Sequence, residues 1–171
     1  VKHRTMTADP QDAVVVFDRH GKFVRSFGKE FHGGGHGIDI RRDGGEEFLY
    51  LCDNKGHIAK STLKGEIVRK QAAPKIAPYE NARPFELKTP GKYGKGHLFG
   101  RTNIAFAADG GFWVGEGYGS HYIIKCDKGG QVVSHFGGAG DGRGQLRTPH
   151  GLWWDDRKGR EPALVVANRA N

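Results

Sequence analysis

Two short stretches of this sequence repeat one pattern: Gly34-Gly35-His36-Gly37-Ile38-Asp39-Ile40 and Thr148-Pro149-His150-Gly151-Leu152-Trp153-Trp154. In each stretch a histidine follows turn residues and precedes a glycine and a short, largely apolar run. Glycine and proline mark turns, and short apolar runs bounded by turn signals are typical of β-strands. The repetition predicts two copies of one β unit, each with an imidazole at the same position.

The rest of the chain also divides into short strands separated by glycine-rich turns. Glycine accounts for 28 of the 171 residues, and the glycines recur between apolar runs rather than in one flexible tract. No long segment shows a sustained helical period. The sequence therefore predicts an all-β fold, with paired strands at 13–18 and 23–28, 36–40 and 48–53, 57–61 and 66–68, 102–106 and 112–116, 122–127 and 131–137, and 150–155 and 163–168.

Four short strands in a repeat of about 40–50 residues are typical of the blades of a β-propeller. We therefore predict that residues 1–171 form one partial β-propeller domain with about three blades' worth of strands. A propeller ring has about four to eight blades because it must close to protect its sheet edges. The chain is thus expected to be a fragment of a longer propeller, and the alternative is that two copies close one six-bladed ring. The predicted parts are the last two strands of a blade at 12–28, a full blade at 36–70, a long loop at 71–99, a full blade at 101–137 and the first two strands of a blade at 148–168.

Composition and charge exclude some classes of partner. The net charge is +8, from 27 Lys and Arg against 19 Asp and Glu, but the basic residues are scattered. Without a basic stripe interleaved with aromatic residues, no nucleic-acid partner is expected. No apolar run reaches the roughly 18 residues of a membrane span, so no membrane partner is expected either. Cys52 and Cys126 fall in different units, which leaves a disulfide between them possible but unsupported.

The repeated histidines are the candidate site. The first strand of each propeller blade lines the central channel, so His36, Thr102 and His150 are expected to converge at its mouth. Two imidazoles could be two ligands of a zinc ion, which usually has three protein ligands and an open position in catalytic sites. A third ligand would then come from blades outside this chain. The alternative is that each histidine only forms a hydrogen bond with a neighbouring strand.

The sequence also resembles a known family. The blades resemble NHL repeats, and nearly the whole chain resembles the peptidyl-α-hydroxyglycine α-amidating lyases, the lyase domain of peptidylglycine α-amidating enzyme. Gly35-His36-Gly37-Ile38 is similar to the family's Pro-His-Gly-Leu zinc turn without its proline, and 144–152 is similar to its second zinc turn. The segment 116–123 aligns with the family's active-site tyrosine segment and carries the role to Tyr118. Arg4 stands 14 residues before Asp18, at the spacing of the family's active-site arginine.

The resemblance implies a fold, a metal site and a reaction. It implies a six-bladed propeller with a catalytic zinc bound by His36, His150 and a third histidine beyond Asn171. It also implies a structural calcium on the axis, for which Ile38 is a possible backbone ligand. Gly119 in place of the family's cysteine removes one disulfide.

The implied reaction is cleavage of the C–N bond of an α-hydroxyglycine-type substrate into an amide and glyoxylate. Zinc would polarise the carbinol hydroxyl, Arg4 would bind the substrate carboxylate and Tyr118 would transfer the proton. We accordingly expect a small-molecule or peptide substrate, the remaining blades as structural partners, and a secreted or periplasmic location. The competing hypothesis is a non-catalytic NHL propeller that binds a protein or another ligand.

Overall fold

The computed structural model describes residues 9–54, 57–72 and 100–170. These segments are all-β, as predicted, apart from one turn of 3-10 helix at Lys29–Phe31. No helix in these ranges is long and apolar enough to cross a membrane. The strands are β1 (Val14–Phe17), β2 (Phe23–Phe27), β3 (Gly35–Asp43), β4 (Glu46–Asp53), β5 (His57–Thr62), β6 (Ile67–Gln71), β7 (Arg101–Phe106), β8 (Phe112–Glu116), β9 (Tyr122–Cys126), β10 (Val132–Gly137), β11 (Pro149–Asp155) and β12 (Ala163–Asn168).

The strands pair with their sequence neighbours into four antiparallel sheets. Strands β1 and β2 form an N-terminal pair, and β11 and β12 form a C-terminal pair. Between them lie a first full sheet, β3 to β6, and a second full sheet, β7 to β10, each with its strands in chain order. Within the described residues the sheets do not close into a ring.

Strand β3 is longer than the sequence pattern predicted. It continues past Ile40 to Asp43, because Arg42 pairs with Glu47 and Asp43 with Glu46. The predicted strand end at Ile40 is therefore wrong, and only Gly44 and Gly45 form the turn, at φ 61° and 89°. A two-residue hairpin turn of this kind needs positive φ at both positions, which glycine adopts without steric cost. Arg42 and Asp43 are charged and exposed, so the end of the strand shows no apolar alternation in the sequence.

Strand β6 also runs further than predicted. It spans Ile67–Gln71, with Gln71 opposite Ile58, so position 71 ends the strand rather than starting the long loop. The remainder of the predicted loop, 73–99, lies outside the described residues.

Three apolar clusters hold the four sheets face to face. The first cluster joins the N-terminal pair to the first full sheet, the second joins the two full sheets, and the third joins the second full sheet to the C-terminal pair. Trp113 and Trp154 stack across the last interface, with ring centroids 4.4 Å apart and planes 17° from parallel. Burial of each large aliphatic side chain stabilises the fold by about 1.5–3 kcal/mol. The buried members are Val14, Phe31, Leu49, Leu51 and Ala59; Cys52, Ile58, Ile104, Phe112, Val114, Ile124 and Cys126; and Ala105, Trp113, Ile123 and Leu152.

The two cysteines lie in the middle cluster as free thiols. Burial raises the pKa of Cys52 to about 12 and that of Cys126 to about 11. Because the thiolate is the reactive form, both side chains act here as small apolar core residues.

Candidate functional site

The two repeated histidines meet around a tyrosine. His36 is the second residue of β3, His150 is the second residue of β11, and Tyr118 lies in the loop that follows β8. The Tyr118 hydroxyl is 2.9 Å from Nε2 of His36 and 2.9 Å from Nε2 of His150. The two imidazole centroids are 4.6 Å apart. Three residues singled out from the sequence therefore come together from three different sheets.

Thr102 occupies the equivalent position in β7 but does not extend its side chain into this group. Its hydroxyl donates a hydrogen bond to the carbonyl of Pro149 at 2.7 Å, and only 1% of the residue is exposed. The expectation that the Thr102 side chain lines the site is therefore wrong. Instead, its backbone oxygen lies 3.1 Å from Nδ1 of His36. The threonine ties β7 to β11 while its carbonyl orients the first histidine.

These contacts fix the tautomers of both imidazoles. A carbonyl oxygen can only accept, so Nδ1 of His36 carries the proton and its Nε2 presents a lone pair. Nε2 of His150 lies 2.9 Å from Nη1 of Arg169, and a guanidinium can only donate, so this Nε2 also presents a lone pair. The Tyr118 hydroxyl has one proton and can donate to only one of the two nitrogens at a time. The Nε2 lone pairs of His36 and His150 thus both face the Tyr118 hydroxyl.

Both imidazoles are held in the neutral form. Burial lowers the pKa of His36, and the positive charge of Arg169 lowers it further, although the bond to the Thr102 carbonyl acts in the opposite direction. Burial also lowers the pKa of His150, with smaller contributions from His36 and Arg169. Neutral imidazole is the form that binds metal ions.

The loop that carries Tyr118 is organised by Glu116, the last residue of β8. Glu116 is fully buried, and its two carboxylate oxygens accept hydrogen bonds from three residues of the loop and from Gly100. Gly117 lies against the start of β11, because a Cβ added to it would be 2.5 Å from the Pro149 carbonyl oxygen. The donors to Glu116 are the amides of Gly100 (3.1 Å), Tyr118 (3.0 Å), His121 (3.0 Å) and Ser120, together with the Ser120 hydroxyl (2.6 Å).

The turn before His150 is strained and is held by His121. Thr148 has φ 54° and His121 has φ 61°, both in the left-handed region that non-glycine residues rarely adopt. The Thr148 amide donates to Nδ1 of His121 at 2.8 Å, and the Thr148 carbonyl accepts the amide of Arg169 at 3.2 Å. Such residues cost about 1–3 kcal/mol each and persist only where the surroundings enforce them. His121 thus connects the loop that carries Tyr118 to the turn before His150.

Arg169 is the site residue that the sequence reasoning missed. It follows β12, which returns beside β11 so that Asn168 lies opposite Pro149. This pairing brings the guanidinium to His150 although the two residues are 19 positions apart. The only signal in the sequence was a basic residue just after the second strand of the unit that His150 begins. Arg4, the arginine predicted from the resemblance, lies outside the described residues.

No family model matches the chain, and no curated protein matches it.

The metal ligands can be assessed on the donor set alone. In the ranges 9–54, 57–72 and 100–170 no three His, Cys, Asp or Glu residues group closely enough to hold an ion. His36 and His150 nevertheless suit two of the three protein ligands of a zinc site, since both are neutral and their Nε2 atoms flank the Tyr118 hydroxyl. For an ion to bind there, the Arg169 guanidinium would have to withdraw from Nε2 of His150. Ile38 lies in β3 opposite Leu51, two residues beyond His36, and its role as a calcium ligand stays a prediction. The site can thus supply two metal ligands, His36 and His150. Tyr118 can transfer a proton, and Arg169 can attract an anion.

Proposed function

We propose that the chain is part of a six-bladed β-propeller with NHL-type blades, and that this propeller is a zinc-dependent carbon–nitrogen lyase. The reaction would be that of the peptidyl-α-hydroxyglycine α-amidating lyases, which the sequence resembles. One observation carries the proposal: His36, His150 and Tyr118, which the resemblance singles out, lie within hydrogen-bonding distance although they come from three sheets. A chance similarity of three separate motifs gives no reason for such convergence.

The order of the inner strands supports a longer chain over a ring of two copies. The second residues of β3, β7 and β11 are His36, Thr102 and His150, so a histidine occurs on every other inner strand. Continued around six blades, this alternation would put a third histidine two blades beyond β11 and space the ligands evenly around the axis. A ring of two copies would instead put His150 of one copy beside His36 of the next and supply four unevenly spaced histidines.

In this proposal His36, His150 and a third ligand would hold zinc, and the chemistry it would supply is Lewis-acid polarisation of the substrate hydroxyl. Arg169 binds the substrate carboxylate, together with Arg4 if that residue also reaches the site. A bidentate guanidinium contact orients the substrate as well as attracting it. A calcium ion bound through Ile38 would be structural.

Tyr118 transfers the proton. The substrate hydroxyl loses its proton as its carbon–oxygen double bond forms, the C–N bond breaks, and the departing amide nitrogen gains a proton. The Tyr118 hydroxyl, which lies beside both Nε2 atoms, would accept the proton of the substrate hydroxyl and give its own proton to the departing nitrogen. The reaction consumes no water and yields an amide and glyoxylate.

The test is glyoxylate release from an N-acyl-α-hydroxyglycine by the purified full-length protein. Proton-transfer groups contribute about 10²–10⁴-fold, so Tyr118→Phe should reduce the rate by at least about 100-fold. Tyr122→Phe, four residues further on, is the matched control and should leave the rate unchanged. A full-length protein that contains no zinc, or His36→Ala and His150→Ala variants that retain activity, would exclude the lyase and favour a ligand-binding scaffold.

A further inference from the structure

A second candidate site lies between the first and second full sheets, away from the histidines. There a groove of about 340 Å³ opens between one face of the first full sheet and the hairpin turns of the second. This volume is at the lower end of the range for small-molecule sites, about 300–1,000 Å³. We call it the intersheet groove. Its lining includes Arg41, Tyr50, Lys60, Val68, Phe106 and Lys128.

The floor of the intersheet groove is aromatic. Tyr50 and Phe106 are in edge contact, with ring centroids 4.6 Å apart, and Phe106 in turn lies 5.4 Å from Phe112. Tyr50 and Phe106 are only half-buried, so they present ring surface to the groove. Aromatic rings pair best with other rings in edge or offset contacts. A planar aromatic group suits this floor.

The rim of the groove is positively charged. Arg41, Lys60, Arg69 and Lys128 line it, and Asp43 is the only carboxylate among the lining residues that the structure describes. Asp43 forms a 2.5 Å ion pair with Lys60 and so offsets the charge of that one lysine. The Arg41 guanidinium lies 4.7 Å above the Phe106 ring, so charge and aromatic surface adjoin. The groove thus favours an anionic group joined to a ring.

The groove is framed by hydrogen bonds between the two sheets. The Arg69 guanidinium donates to the Gly129 carbonyl at 2.9 Å, and the Gln71 amide donates to the Gly130 carbonyl at 2.8 Å. Gly130 has φ 87°, a left-handed backbone conformation that glycine adopts without steric cost. These bonds fix the width of the groove, which makes it a preformed site.

We propose that the intersheet groove binds a small aromatic carboxylate, with the ring on Tyr50 and Phe106 and the carboxylate between Arg41 and Lys128. The charge of the rim and the aromatic floor together select this class of ligand. The site does not depend on the histidines or on the proposed lyase reaction.

The test is a calorimetric titration of the protein with naphthalene-2-carboxylate, compared with the neutral naphthalene-2-carboxamide. We expect one saturable site that binds the carboxylate about tenfold more tightly and weakens as salt is added. Lys128→Ala should weaken binding about three- to tenfold. Lys158→Ala removes the same charge from an exposed turn of the C-terminal pair and should leave the affinity unchanged. Val68→Trp, at a position 54% exposed, should fill the groove and abolish binding without disturbing the core.

Three results would overturn the proposal. The first is the absence of a saturable site, and the second is equal affinity for the carboxylate and the carboxamide. The third is equal affinity of the Lys128→Ala and Lys158→Ala variants, which would indicate attraction by overall charge alone. Far-ultraviolet circular dichroism of each variant verifies that the sheets are intact.

Discussion

The buried carboxylate of Glu116 accepts a hydrogen bond from the backbone amide of Tyr118 at 3.0 Å. The same oxygen accepts the amide of Gly100, and the second oxygen accepts the amides of Ser120 and His121. One acidic side chain therefore shapes the loop from which the tyrosine reaches the two imidazoles.

Glu116→Gln should destabilise the protein by about 2–4 kcal/mol. The glutamine amide nitrogen cannot accept hydrogen bonds, so whichever way the side-chain amide is turned, two of the four backbone amides lose their bond to residue 116. The free energy of unfolding from urea titration measures the effect. Glu161→Gln, in an exposed turn, is the control and should change it little. Equal stability of the two variants would contradict the organising role of Glu116.

The glycines that follow the two histidines should respond differently to alanine. A Cβ on Gly37 would lie 2.6 Å from both the Thr102 carbonyl oxygen and the Asn103 Cα, whereas a Cβ on Gly151 would meet only the Ala167 Cβ at 3.4 Å. Gly37→Ala must separate β3 from β7 and should cost about 1–3 kcal/mol or more. Gly151→Ala should cost well under that amount. The melting temperatures of both variants test this comparison. A larger decrease for Gly151→Ala than for Gly37→Ala would contradict the close packing of β3 on β7.

Without metal, the protein should lose stability on mild acidification because of His36 and His150. Both folded pKa values lie below the 6.5 of an ordinary imidazole. Below pH 6.5 and down to the folded pKa values, the unfolded chain therefore binds more protons than the folded chain. The free energy of unfolding should decrease as the pH falls through that window, and should be restored as the pH rises.

Urea titrations in EDTA between about pH 7.5 and pH 5 would measure this decrease. The double variant His36→Asn, His150→Gln cannot titrate there, and its asparagine can still donate to the Thr102 carbonyl. It should show a shallower decrease. The same slope in both proteins would mean that other groups cause the acid sensitivity.

Thr148→Asn should stabilise the protein by up to about 1 kcal/mol. Asparagine tolerates the left-handed conformation better than a β-branched residue, while the amide that donates to His121 is kept. Chemical denaturation measures the gain. Thr62→Asn serves as the control, since Thr62 ends β5 without a positive φ. Its hydroxyl accepts the amides of Lys64 and Glu66, which an asparagine side-chain oxygen can also accept, so this variant should bring no gain. A loss of stability in Thr148→Asn would indicate that the threonine side chain itself holds the turn.

The strands that the sequence predicted best are short, largely apolar runs that end at glycine-containing turns. Strand β8 spans Phe112–Glu116, as predicted, because its apolar residues are bounded by a turn on either side. The ends of β3 and β6 were missed because Arg42, Asp43 and Gln71 are polar residues of the kind that also occur in turns. Local polarity signals a turn in the sequence but does not prevent pairing at a sheet edge.

The site shows the same division between local and long-range information. His36, His150 and Tyr118 were found because each lies in a recognisable short motif. Arg169 was missed because its position depends on the register that sets β12 beside β11, which no local pattern reveals. The Thr102 side chain was misplaced because the direction in which it extends is set by the packing of the second full sheet on the C-terminal pair.

The stacked indoles of Trp113 and Trp154 bridge the interface that also positions Tyr118 and His150. Closely stacked indoles couple their electronic transitions, so the pair should give a paired positive and negative band in the ultraviolet circular dichroism spectrum. That band would vanish when the two sheets separate, even if each sheet kept its own strands. The circular dichroism band of this pair would thus report whether the second full sheet and the C-terminal pair, which carry Tyr118 and His150, are packed together. It could be recorded with neither metal nor substrate present.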